Sequence, residues 1–114
     1  MEISILDKRI SNQELRAFLG SPFPTMVKFV VDVNRHLVAL GGELHADAEE
    51  LLLTRGSRQA DLWGGNIYPD EADEKKIVFE SLINIRPPLN RSLIVQDPVI
   101  QERMRAAVKE LIAL

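Results

Sequence analysis

The sequence predicts an α+β domain: a mainly antiparallel sheet of about five strands with three helices packed on it. Three observations lead there. Apolar residues alternate at a period of two around 27–33 and 77–85, they recur at helical spacing after 44 and after 98, and the links between strand segments are short. At 114 residues the chain has room for one domain, read as 1–114. Within it, 1–24 forms an N-terminal strand, a helix and a Pro-rich connector, and 25–114 forms the sheet core and C-terminal helix.

Each element has a local cause. Ile3, Ile5 and Leu6 suit a short extended segment. Ser11 and Glu14 have the spacing of a capping box, Ile10 and Leu15 that of a hydrophobic staple, and Gly20 stands where a helix would stop. Ser21-Pro22-Phe23-Pro24 forbids further helix. Val27, Phe29, Val31 and Val33 then share one strand face, with Lys28, Val30 and Asp32 on the other. Asn34-Arg35 is read as a turn and 37–40 as the return strand, which Gly41-Gly42 breaks.

Leu44, Ala48, Leu51 and Leu52 have helical spacing, ended by Gly56. A third strand covers 62–68, stopped by Pro69 and the acidic stretch 70–74. A fourth is expected over 77–85, with Ile77, Phe79, Ile83 and Ile85 on one face and Pro87-Pro88 as its end. A short fifth is expected over 92–95. Asp97-Pro98 opens the last helix, whose buried stripe is Ile100, Met104, Ala107, Val108 and Leu111. Both faces of strands one and four carry apolar residues, so both need cover: helices on each, or helices on one and a partner subunit on the other. A homodimer is the expected assembly.

Composition excludes several classes. With 46% apolar and 27% charged residues, the chain can bury a real core, roughly 65% of its unfolded surface. No cysteine is present, which removes disulfides, thiolate metal sites and a cysteine nucleophile. No apolar run is long enough to span a membrane and no signal peptide is visible, so the cytoplasm is the default compartment. A net charge of −3 opposes bulk binding to phosphate backbones.

Three stretches carry candidate chemistry. In 41–50, the paired glycines lack a phosphate-loop motif, and Glu43 and Asp47 would repel an anion there. His45 and Glu49 are four apart on one helical face, with Asp47 nearby. Such a set could ligate magnesium, manganese or calcium, or run acid–base chemistry. Against this, acids stabilise a helix start, and Asp47 and Glu50 are spaced as a second capping box. In 56–69, Trp63 and Tyr68 stand among Asp61, Gln59 and Asn66, and Gly64-Gly65 marks a bulge or close backbone approach. A ligand stacked on Trp63 and read by Asn66 fits that surface; so does Trp63 as plain core. In 84–92, Asn84, Arg86, Asn90 and Arg91 form an anion site, or the arginines pair with the acids of 43–50 or 61–74.

The run 41–53, with 56–57, 61–69, 83–87, 90–92 and 96–98, resembles a family of short bacterial proteins known as a domain of unknown function. The resemblance covers about residues 26–113 and implies a bacterial, cytoplasmic setting without assigning an activity, ligand or site residue. Three functional readings follow. The first is a non-enzymatic module that binds a small molecule or a protein. The second is a metal-dependent hydrolase using Glu43, His45, Asp47 and Glu49. The third is a nucleic-acid-linked regulator using Arg86 and Arg91, opposed by the acidic balance and few aromatics.

Overall fold

Strand alternation builds the centre of the molecule. In the computed structural model, which describes residues 2–20 and 22–114, five strands form one antiparallel sheet. They are β1 (Ile3–Leu6), β2 (Val27–Asp32), β3 (Leu37–Gly41), β4 (Leu62–Ile67) and β5 (Ile77–Val78), in the spatial order β1-β3-β2-β4-β5. β2 is central, with Phe29 opposite Leu40 of β3 and Gly65 of β4.

The two faces are covered by different helices. Phe29, Val31, Val38, Leu40, Trp63 and Ile67 form one face, buried with Met104, Ala107, Val108 and Leu111 of the C-terminal helix α3 (Pro98–Leu111). Leu15 of α1 (Asn12–Arg16) joins the same core. Val30, Ala39 and Leu62 form the other face, against Ala48 and Leu52 of α2 (His45–Thr54). Each such large side chain taken out of water contributes about 1.5–3 kcal/mol. Of the two arrangements left open for covering the sheet, the chain uses its own helices on both faces.

Local signals hold where the partners are close in sequence. Ser11 and Glu14 make the full capping box, and the Asp97 side chain accepts the Val99 amide with Pro98 as the first helical residue. The β2–β3 turn is fastened by Asp32, whose buried carboxylate accepts the Asn34 and Arg35 amides at 3.0 and 2.8 Å and the Ser57 hydroxyl at 2.6 Å. Burying a charge is tolerable only with this degree of satisfaction.

Four expectations need correction. α1 ends at Arg16 with Ala17 as its C-cap residue, ahead of Gly20. α2 begins at His45 with Leu44 as its cap residue, so Asp47 sits in the first turn and makes no capping box with Glu50. The expected fourth strand is only the two residues of β5, because Ser81 accepts the Ile83 amide and starts a 3₁₀ turn over Leu82–Asn84. Residues 92–95 meet the sheet through one bridge, Glu80 to Ile94, and the fifth strand is β1 instead.

Side chains take over where β5 stops. The Asn84 amide accepts the Gly64 N–H and donates to the Gly64 carbonyl, both at 2.9 Å, as a paired strand would do. Arg86 donates to the Leu62 carbonyl, the next ladder position along β4. The exposed edge of β4 is thereby closed without a strand. No helix among the described residues is long and apolar enough to cross a membrane.

Candidate functional site

The α2 face of the sheet holds a cavity of about 430 Å³ beside the start of α2. Its position follows from glycines. Gly41 and Gly42 take φ of 101° and 88°, a region that side-chain-bearing residues rarely adopt, and turn the chain from β3 into α2. Gly64 lets two side chains lie against the strand: a Cβ there would sit 2.7 Å from Ser81 Cβ and 3.2 Å from His45 Cδ2. Gly65 does the same on the opposite face, where a Cβ would meet the Phe29 ring at 2.5 Å. The expected close approach at Gly64-Gly65 is therefore real, and it shapes both the core and the cavity.

His45 and Asn66 form the polar floor. His45 is buried, and its Nε2 donates to the Gly65 carbonyl at 2.7 Å. Because a carbonyl only accepts, this bond places the proton of the neutral ring on Nε2 and leaves Nδ1 as a lone-pair acceptor. Burial pushes the imidazole down to about 4, with the charge of Lys28 in the same direction and the Gly65 and Asn66 contacts opposing. At neutral pH the ring is uncharged.

Asn66 stands opposite Lys28 in the β2–β4 register and is also buried. Its Nδ2 donates to the Glu80 carbonyl at 3.3 Å, which fixes the amide orientation. Its Oδ1 is buried with no hydrogen-bond partner among the described residues. An unpaired buried acceptor costs about 1–3 kcal/mol. Lys28, Glu80 and Ser81 complete the polar lining, while Leu44, Leu82, Ile83 and Leu93 supply apolar walls, with Leu44 and Leu82 largely exposed.

The other expected site residues are placed elsewhere. Glu43 and Asp47 are exposed, and Glu49 is half-buried. Among the described residues no three His, Asp or Glu side chains converge as a metal-ligand set. His45 shares a helix with Asp47 and Glu49, but its ring reaches the sheet and Nε2 is already held by Gly65. The spacing that suggested ligands instead presents a single histidine to β4.

Trp63 and Asn66 do not share a surface. Trp63 belongs to the core on the α3 face, whereas Asn66 lines the cavity on the α2 face. The Trp63 ring carries the Arg86 guanidinium 4.1 Å from its centroid. Arg86 also donates to the carbonyls of Gln59, Leu62 and Ile83, so its donors fasten backbone. Burial lowers its pKa, opposed by the nearby charge of Glu49, but the two make no ion pair within 4.0 Å. Asn84 and Asn90 are buried, and Asn90 Nδ2 donates to the carbonyls of Asn84, Ser92 and Ile94. Arg91 is exposed. Tyr68 lines a second, shallower cavity of about 500 Å³ beside β5, with Glu71 and Lys75.

Lys28, Glu80 and Ser81 were not singled out from the sequence. Lys28 carried a usable signal, being a charged residue inside an otherwise apolar strand. Glu80 and Ser81 fall inside the strand expected over 77–85, on its two opposite faces, and carry no separate signal there.

A family model described as "Protein of unknown function (DUF5674)" matches residues 4–111. The chain belongs to this family. The match runs from β1 into α3, so it takes in the N-terminal strand and helix that lay outside the resemblance over 26–113. No curated protein and no solved structure matches the chain.

Proposed function

We propose that this protein is a small-ligand-binding module, and that its ligand enters the cavity between α2, β4 and the 3₁₀ turn at Leu82. The observation that carries this reading is Asn66: a buried amide whose Oδ1 has no hydrogen-bond partner among the described residues, on the floor of a cavity with apolar walls. Folding gains little from that arrangement, since a leucine or alanine at the strand position would bury no unpaired oxygen and would give up one hydrogen bond of 3.3 Å to the Glu80 carbonyl. Binding sites combine this kind of apolar wall with a few oriented polar groups. A hydrolase working through Glu43, His45, Asp47 and Glu49 has less support, because the acids do not gather around the histidine.

A fragment screen followed by amide ¹⁵N–¹H correlation spectra tests the reading. Binders should shift the signals of Gly64, Gly65, Asn66, Ser81 and His45 together. Hits whose shifts spread over the surface, or a screen without hits at millimolar concentration, would remove the cavity from consideration. The setting we propose is the bacterial cytoplasm, and the assembly a homodimer using exposed apolar residues away from the cavity, such as Leu89 and Val99. A concentration-independent monomer mass in light scattering overturns the dimer.

A further inference from the structure

We propose that the cavity recognises a neutral carboxamide carried on an apolar body. This rests on the small-ligand reading above and names the chemistry of the group that is bound. Two of the polar groups on the floor are acceptors with their alternatives already used. Asn66 cannot turn its amide round, because Nδ2 is committed to the Glu80 carbonyl, so Oδ1 stays the free atom. His45 commits Nε2–H to Gly65 and keeps a lone pair on Nδ1. A ligand must therefore bring donors to this floor, and an NH₂ group brings two on one nitrogen.

Ser81 supplies the complementary half. Its hydroxyl oxygen accepts the Ile83 amide at 3.3 Å, and its own proton has no acceptor among the described residues. That proton suits the carbonyl oxygen of the same carboxamide. Charge selects in the same direction. Lys28 and Glu80 face the cavity with opposite signs, so neither a free cation nor a free anion meets a field of one sign. An anion would also meet the Asn66 and His45 lone pairs, which repel it. Leu44, Leu82 and Leu93 then give an apolar body its contacts. Oδ1 is closed to solvent by its neighbours, so the ligand N–H reaches it with a side-chain adjustment at the floor.

Three probes with one ring separate the chemistry: benzamide, which donates and accepts; acetophenone, which only accepts; and benzoate, which is anionic. Each is titrated into the full chain and followed in amide correlation spectra. Benzamide should shift Gly64, Gly65 and Asn66 and bind about tenfold more tightly than acetophenone, which lacks both N–H donors. Asn66→Ala should reduce that preference to about threefold, the share left to His45 Nδ1, and Ser81→Ala should weaken benzamide and acetophenone alike, since both offer a carbonyl oxygen. The spectra of the two variants report directly whether each is folded. Equal binding of benzamide and acetophenone at the cavity would overturn the carboxamide proposal while leaving the cavity a ligand site. Tighter binding of benzoate would overturn it in favour of an anion. No shift at the cavity with any of the three would remove the ligand site and the proposal together.

Discussion

Two buried asparagines, one in β4 and one closing the 3₁₀ turn over Leu82–Asn84, behave in opposite ways. Asn84 uses its whole amide: it accepts the Gly64 N–H, and donates to the Gly64 and Leu93 carbonyls at 2.9 and 3.1 Å. Asn66, two residues further along the strand that Asn84 supports, uses half of its amide and leaves Oδ1 unpaired. Both are nearly inaccessible to water. A polar group that is buried and satisfied is explained by the fold it holds, since its hydrogen bonds replace those it lost. A polar group that is buried and unsatisfied works against the fold, and beside a cavity a bound molecule is what would supply the missing bond. The cavity at Asn66 is where that outside partner fits.

The largest expected effect is on the satisfied side. Asn84→Ala strips three Gly64 and Leu93 backbone groups of their partner at an edge that has no strand to replace it, and should lower unfolding free energy by about 4 kcal/mol. Urea denaturation measures this. A loss below about 1 kcal/mol would show that water closes the β4 edge as well as the amide does.

Next in size is the pH response of His45. The unfolded imidazole titrates near 6.5 and the folded one at about 4, so below pH 6.5 the unfolded chain binds the extra proton first. Stability from keeping the ring neutral is complete above pH 6.5, drains away as pH falls towards 4, and amounts to about 3 kcal/mol in total. Comparing wild type with His45→Gln at pH 7 and pH 4.5 isolates it from the carboxylates, which both proteins share. The wild type should lose about 2 kcal/mol more than the variant over that interval. Parallel losses would mean that the ring is already hydrated in the folded protein.

Arg86→Lys comes third. A lysine cannot serve the Gln59, Leu62 and Ile83 carbonyls with one planar fork while lying on Trp63. A cost of about 1–2 kcal/mol is expected in the same denaturation experiment, with a shift in Trp63 emission. Unchanged emission and stability would return Arg86 to the list of free anion-binding groups.

The smallest effect on stability belongs to Asn66→Ala. It removes the unpaired oxygen together with one hydrogen bond of 3.3 Å, two changes of opposite sign, so stability should stay within about 1 kcal/mol of wild type. A loss as large as that of Asn84→Ala would erase the distinction between the two asparagines and return Asn66 to a purely structural role.

The parts of the fold that could be read from the chain are those whose causes lie within a few residues. The Ser11–Glu14 box, the Asp97-Pro98 start and the alternation from Val27 to Val33 each depend on neighbours in sequence. Alternation from Ile77 to Ile85 has the same appearance but a different outcome. Ser81 and Asn84 interrupt it by bonding to Ile83, Gly64 and Leu93, and those last two partners lie well away along the chain. The site was legible to the same depth. His45 and Asn66 stand out as polar residues at element junctions, but each was matched with the wrong companions. Trp63 and Asn66 are three apart in a strand, which puts them on opposite faces, and the helical spacing of His45 and Glu49 says nothing of where a buried ring is held.

By itself, then, the sequence determined the fold class, the antiparallel core around β2 and the two long helices, because periodicity and caps are local properties of the chain. It also set the chemistry on offer: no thiol, two histidines and a set of amides. Only the tertiary structure decided which amides are spent and which one is left over. That depends on whether a backbone group from a distant segment arrives within about 3 Å, and chain closure over such separations is governed by packing. Asn84 meets Gly64 in that way, and the oxygen of Asn66 finds no hydrogen-bond partner among the described residues.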